Sequence, residues 1–270
     1  MRPAHFTPTG DHFHDASGDH AVAAALLWNP LGERYVELLR PAAGERVLDA
    51  CCGAGASALP AARAVGPTGR VDAVDIAAGM VEAGRRRAKT EDLRQAHFHA
   101  ADITAWSPAQ PYDLILCGYG IFFLPDMDTS ARHLISLTRP GGRFSVATWA
   151  EGALQDFGAL LFQSAGAERS LPSGEPPVRR ASRRIETERR LADWATSLDL
   201  TQVTVHRMEM RVPISPENAW GLVLGSGFRA ILSGLDARAT ARVRNHFLDA
   251  LRTERIDHLD ASSLVLAGTA

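Results

Sequence analysis

Between residues 45 and 150 the chain alternates two patterns. Short apolar runs, "ERVLDACC", "GRVDAVDIA", "QAHFHAADI", "YDLILCGYG" and "GGRFSVATWA", are bounded by Gly, Pro or charged residues. Their apolar positions are consecutive, which predicts strands buried on both faces. The turns "GPTGR" and "RPGG" introduce the second and fifth runs. Residues 56–65, 78–90 and 128–138 carry helical spacing between them. Strands alternating with helices of that length predict an α/β fold, a doubly wound parallel sheet with right-handed crossovers.

The pattern changes after Ala150. "ERSLPSGEPPVRRASRRIETERR" is rich in Pro, Ser and Arg and predicts a cap or lid. "TQVTVHRMEMRV" alternates like a further strand, and "SSLVLAGTA" like a last one. Residues 216–258 between them read as helical, with Pro216 in a first turn. Ahead of the first strand the chain is expected to be helical from about residue 21, broken or restarted by Pro30. Three regions follow: an N-terminal helical cap segment at 1–40, a ligand-binding core at 41–150, and a completion of the sheet at 151–270 with a helical cap insert at about 216–258.

Composition removes several function classes. Of 270 residues, 46% are hydrophobic and 22% charged, an ordinary globular balance. The formal net charge of −2 gives no global attraction to nucleic acid or to an acidic membrane surface. No apolar run is long enough to span a bilayer. "MRPAHFTPTGDHFHD" lacks the apolar centre of a signal peptide, so the expected location is cytoplasmic. Cys51, Cys52 and Cys117 form neither a disulfide framework nor the paired spacing of a structural zinc site. Lys89 is the only lysine, and the arginine excess reads as the base composition of a GC-rich bacterial genome.

Candidate chemistry centres on "VLDACCGAGAS", where the first strand ends. Gly53 and Gly55 allow a sharp turn and close approach of a ligand. Asp75 closes the second strand about 20 residues later, the position from which an acid bonds ribose hydroxyls. The combination predicts an adenosine-containing ligand at the carboxyl edge of the sheet. A tight turn with Asp75 as a helix cap is the bland alternative. "GAGASA" also fits a dinucleotide fingerprint, which keeps a nicotinamide oxidoreductase open. Asp49, inside the strand end, and the acid of "AADI" after the third strand favour the other ligand class.

"VLDACCGAGAS", "VDAVDIAAGM", "AADI", "YDLILCGYGIFFLPD" and "RPGGRFSVATW" resemble, in order and spacing, the successive motifs of class I S-adenosylmethionine-dependent methyltransferases. The nearest type is the small-molecule group that includes the ubiquinone and menaquinone methyltransferases. The resemblance covers about residues 40–150. It implies a Rossmann-like seven-stranded sheet whose last strand lies antiparallel between the fifth and sixth. It implies S-adenosylmethionine as cofactor and S-adenosylhomocysteine as product. Asp49, with Ala50 and Cys51, would meet the methionine moiety, and Gly53 and Gly55 would lie against the cofactor. Asp75 would accept the ribose hydroxyls. Ile76 and Met80 would sandwich the adenine, Asp102 would take its amine, and the Ile103 backbone would bond the ring. Cys117 would line the methionine portion. His20 falls where many relatives have a tyrosine over the cofactor. Cys51 stands where the family usually has glycine.

Methyl transfer from a sulfonium is an in-line displacement dominated by positioning. An acceptor that carries a proton can require a base. His14 and Tyr119 are the catalytic candidates. Trp28, Tyr119, Phe122, Trp149 and Phe228 are the candidates for acceptor binding. The run Arg179, Arg180, Arg183, Arg184, Arg189 and Arg190 reads as a solvated helix face, and Asp126 as a helix cap, with no metal site. The expected activity is methyl transfer to a small organic molecule, first an O-methylation in bacterial secondary metabolism. N- or C-methylation and a non-methylating cyclase or binding role stand beside it. The expected partners are a small-molecule acceptor and, at most, a second copy of the chain, with no nucleic acid and no membrane.

Overall fold

A computed structural model describes residues 20–169 and 174–270. Strand β1 (Arg46–Ala50) sits at the middle of the sheet, and its last four residues are buried. It pairs in parallel with β2 (Arg70–Asp75) on one side and β4 (Tyr112–Gly118) on the other. β3 (Ala96–Ala100) extends the sheet beyond β2, and β5 (Thr138–Trp149) extends it beyond β4. With β6 (Thr201–Met208) and β9 (Ser263–Thr269) the order is β3-β2-β1-β4-β5-β9-β6. β9 runs antiparallel to both β5 and β6, as the family resemblance implies. The strand order reverses between the parallel β1 and β4, which opens a crevice at their carboxyl ends.

The consecutive apolar residues that identified β1, β2 and β4 are covered on both faces. Val47, Leu48, Val71, Leu114, Ile115 and Leu116 have no solvent exposure. Helix α2 (Ala58–Val65) packs on β2, and α3 (Ala78–Thr90) on β3. Helix α4 (Met127–Ser136) starts at Asp126, whose Oδ1 accepts the Thr129 N–H at 2.7 Å, so the expected cap is present.

The N-terminal helix α1 (20–39) does not break at Pro30. It runs as α-helix His20–Ala23, a π turn Ala24–Trp28, and α-helix Asn29–Leu39. Proline has no N–H for an i−4 partner. The wider turn, closed by the Asn29 N–H on the Ala24 carbonyl, absorbs that defect and keeps the helix continuous. Three further expectations need correction. The third strand stops at Ala100, because Asp102 caps the short turn that follows. "RPGG" is not a separate turn but a bulged entry into β5, with Gly141 at φ 72°. Residues 201–212 do not form one strand. They divide at Glu209 and Met210 into β6 and a short β7 (Arg211–Pro213), which pairs with β8 (His258–Asp260) in a separate ribbon.

The late segment builds a roof. It comprises α5 (Gln155–Gly166), α6 (Pro177–Arg183), α7 (Glu188–Thr196), α8 (Pro216–Leu224), a 3-10 segment Gly227–Leu232 and α9 (Ala237–Thr253). α7 packs on β6, α5 on α9, and α8 on α1. Phe157 and Phe247 meet edge to face at 4.9 Å, holding α5 to α9. Among the described residues, no helix is long and apolar enough to cross a membrane.

Candidate functional site

The loop after β1 passes through left-handed backbone at both its glycines, Gly53 at φ 52° and Gly55 at φ 85°. Those angles explain the glycines. The Cys52 N–H donates to the Val74 carbonyl at 3.1 Å, which ties the loop to the end of β2. Asp75 fixes it there. Its Oδ2 accepts the Gly53 N–H at 2.8 Å, and its Oδ1 accepts the Ala77 N–H at 2.8 Å. So Asp75 does part of the work of the cap alternative, yet it also faces a cavity.

That cavity has a volume of about 980 Å³ and runs from the carboxyl edge of the sheet to the roof. Asp49, Cys51, Gly53, Asp75, Ile76 and Met80 line its sheet end, with Asp102 and Ile103 beyond them. Ile76 is 63% exposed, an apolar side chain waiting at the rim rather than in the core. Asp102 Oδ1 accepts both the N–H and the hydroxyl of Thr104, at 2.9 and 2.7 Å. Ala50 and Gly55 do not reach the wall: Ala50 is fully buried in β1, and Gly55 backs onto Phe98. Cys117 is fully buried and likewise lies behind the wall.

Asp49 has an unusual electrostatic state. It is almost wholly buried, and its Oδ2 has no hydrogen-bond partner. Burial, and then the negative charge of Asp75, pushes its pKa up to about 8. Burial also raises Asp75, against the lowering effect of its backbone N–H bonds. Two desolvated carboxyls, one with an unfilled acceptor, make a site for a cation.

Cys51 adopts φ 59° and Tyr119 φ 57°, both in the left-handed region. The first value accounts for the glycine found at that place in the resembling family. Tyr119 leaves β4 by bonding its N–H to the Ala147 carbonyl at 2.8 Å. Its hydroxyl donates to Ser263 Oγ at 2.8 Å, and burial drives its pKa well above 10. That geometry removes the support for Tyr119 as an acid–base group. Its ring is a wall instead, 4.4 Å from Trp149 and 5.8 Å from Trp28 between centroids. Trp28 Nε1 donates to the Gly225 carbonyl at 3.0 Å, joining α1 to the end of α8. Phe122 and Phe228 also line the cavity, so all five acceptor-site candidates come together there.

Sequence reasoning missed most of the roof side. Phe162, Arg169, Val178, Arg180 and Leu222 line it. Only the change in composition after Ala150 signalled them. The arginine run is an exposed face, as expected, and it also makes ties. Arg184 pairs with Asp128 at 2.8 Å, Arg179 with Glu186 at 2.6 Å, and Arg183 with Glu175 at 3.2 Å. Asp128 also accepts Trp194 Nε1 at 2.8 Å. His14 lies outside the described residues. His20 begins α1, and its side chain is not described. Among the described residues, no group of three or more His, Cys, Asp or Glu is placed to hold a metal ion.

A family described as a methyltransferase domain matches residues 47–142. The aklanonic acid methyltransferase of Streptomyces sp. strain C5 is 36% identical over 49% of this chain and 61% of its own length. The nocamycin O-methyltransferase of Saccharothrix syringae is 30% identical over 53% of this chain and 55% of its own length. The chain therefore matches less than two thirds of either relative. The solved YcgJ protein of Bacillus subtilis superposes with a TM-score of 0.57, covering 89% of this chain and 98% of that one at 16% identity. At that identity the likeness speaks for the fold alone.

Proposed function

We propose, for a chain that belongs to the class I S-adenosylmethionine-dependent methyltransferases through its domain at residues 47–142, that it methylates an oxygen of a small apolar acceptor. The observation that carries this reading is the desolvated Asp49 in the cavity wall, with Asp75 as its negative neighbour. A dinucleotide has no ammonium to place there. The methionine end of S-adenosylmethionine has one.

The cofactor, when bound, supplies a methyl group on a cationic sulfur. The chain's own residues would hold and orient it. Asp49 would take the ammonium, and Gly53 would give close backbone approach. Asp75, already bonded to backbone N–H groups and facing the cavity, would take the ribose hydroxyls. Ile76 and Met80 would hold the adenine, with Asp102 and Ile103 at its edge. Cys51 would border the methionine end, and Ala50, Gly55 and Cys117 would support the cradle from behind. Trp28, Tyr119 and Trp149 would present aromatic faces beside the sulfonium and exclude water around the acceptor. Among the described residues no histidine lines the cavity. A base would then be His14, with His20 closing over the cofactor. The named relatives support an O-acceptor from bacterial secondary metabolism. A cytoplasmic monomer or homodimer, and the division at residues 40 and 150, belong to the same proposal.

Calorimetric titration with S-adenosylmethionine, S-adenosylhomocysteine and NADH, for the native chain and Asp75→Ala, tests it. Micromolar binding of the first two, lost in the variant, is expected. Binding of NADH alone would overturn the reading.

A further inference from the structure

We infer that the acceptor carries an organic anion, a carboxylate on a flat apolar body, and that Arg169, assisted by Arg180, recognises it. The inference rests on the methyl-transfer reading above and adds the charge of the substrate to it.

Charge is segregated along the cavity. The acids Asp49, Asp75 and Asp102 line the sheet end, where strands finish. Arg169, Arg179 and Arg180 line the roof end. Arg179 is neutralised by Glu186, and the one roof acid in the wall, Glu175, by Arg183. Glu168, next to Arg169 in sequence, is turned to Arg242 at 2.6 Å. Arg169 and Arg180 are left with no carboxylate partner among the described residues.

Arg169 is also held in place without being neutralised. Its Nη1 donates to the Ser233 carbonyl at 2.7 Å and its Nη2 to the Ile231 carbonyl at 3.0 Å. Its Nε is buried with no acceptor. A guanidinium fixed by neutral carbonyls keeps its full charge and a set orientation, the state suited to an incoming carboxylate. Between the poles lies an aromatic stretch formed by Trp28, Tyr119, Trp149, Phe122, Phe228 and Phe162. Phe162 is 49% exposed on the same helix that leads into Arg169. A ligand that matches all three zones puts its reacting oxygen at the acidic, cofactor end. Its ring system fills the middle, and its anion meets the arginines. A cationic amine acceptor would meet like charge at the roof. The anion is thus a recognition handle set apart from the methylated atom, and Arg169 is a specificity residue.

A matched probe pair tests this. The chain is saturated with S-adenosylhomocysteine and titrated with anthracene-2-carboxylate or neutral anthracene-2-methanol, read by quenching of tryptophan fluorescence. The carboxylate is expected to bind about ten- to hundredfold more tightly. In Arg169→Met the two probes should bind equally, with the affinity for S-adenosylhomocysteine at the cradle end unchanged. An unchanged value there also shows that the variant is folded. Arg169→Lys should keep part of the preference. Arg180→Met, which breaks no described contact, should lower it severalfold. Equal binding of the two probes, no binding of either, or a preference that survives the double variant would overturn the inference. If S-adenosylhomocysteine itself does not bind, the methyl-transfer reading fails, and the same pair titrated without it still judges the arginines.

Discussion

Binding of S-adenosylhomocysteine should release a proton from Asp49, and the structure sets the size of the effect. With a pKa of about 8, Asp49 is almost fully protonated near pH 6.5. Ionising it there costs about 2 kcal/mol, at about 1.4 kcal/mol per pH unit. A ligand ammonium beside the Asp49 carboxyl reverses that balance, because a nearby opposite charge favours the ionised form. At this pH the ligand's own amine stays protonated. About one proton should therefore leave for each ligand bound. Affinity should rise nearly tenfold per pH unit from about pH 6 until the amine begins to titrate near 8.

Titration calorimetry in phosphate and in Tris reads the released proton directly. The observed heats should differ by about one proton's worth of the difference in buffer ionisation enthalpy. Asp49→Asn should abolish the difference and weaken binding by about 3 kcal/mol, the order expected for an unpaired buried charge. Stability supplies an independent sign check. A carboxyl whose pKa is raised by folding contributes stability that is full below its unfolded value near 4 and is lost as pH rises toward 8. The loss reaches at most about 6 kcal/mol. The ligand-free native chain should thus weaken over that window, and Asp49→Asn should weaken less, with a residual slope from Asp75, also raised by burial. Identical binding heats in the two buffers would refute the assignment of Asp49 to the ammonium.

Substitutions at four positions probe the rest of the wall and its supports. At φ 59°, Cys51→Val should destabilise by about 2 kcal/mol or more, whereas Cys51→Gly should stay within about 1 kcal/mol of native; equal melting temperatures would remove the strain argument. An alanine Cβ at Gly120 would lie 2.4 Å from Cys51 Cβ, so Gly120→Ala should cost about 2–3 kcal/mol. The double variant with Cys51→Gly should recover at least about 1 kcal/mol in a denaturation cycle. Tyr119→Phe should cost about 1 kcal/mol of stability for its buried bond to Ser263 and leave the pH profile of kcat unmoved; a thousandfold loss of kcat would return Tyr119 to acid–base work. Asp128→Ala frees Arg184 and Trp194, so it should raise KM for the acceptor severalfold at unchanged S-adenosylhomocysteine affinity, and a change confined to cofactor affinity would contradict the roof assignment.

The core of the sheet was legible because its information is local. Five consecutive apolar runs and their punctuation define β1 to β5, and the glycines of the first loop sit where φ demands them. What escaped is set by tertiary contact. Pro30 reads as a break until a π turn is seen to absorb it. "TQVTVHRMEMRV" keeps an alternating pattern through Glu209 and Met210, although the Met210 carbonyl is taken by the Ala261 N–H and the chain there leaves the sheet. The cradle acids were visible as residue types at strand ends. The roof was not, since Phe162 and Val178 come from separate helices and Arg169 from the bend after α5, brought together only by packing.

The two left-handed side chains explain why recognition and variation separate in this fold. Cys51 opens the loop after β1 and Tyr119 the loop after β4, on either side of the switch point. Gly120 fits between them only because it lacks a Cβ. Both residues carry a backbone cost of order 1 kcal/mol. Both are held by bonds or packing deeper in the protein: Tyr119 through Ser263 on β9, opposite Trp149, and Cys51 against Cys117. The cofactor end is therefore built by the sheet itself and is stiff. The acceptor end hangs on helices joined by exposed ion pairs such as Arg184 to Asp128, each worth little alone. A change in acceptor can then be made in the roof without disturbing the cradle, and that is where Arg169 stands.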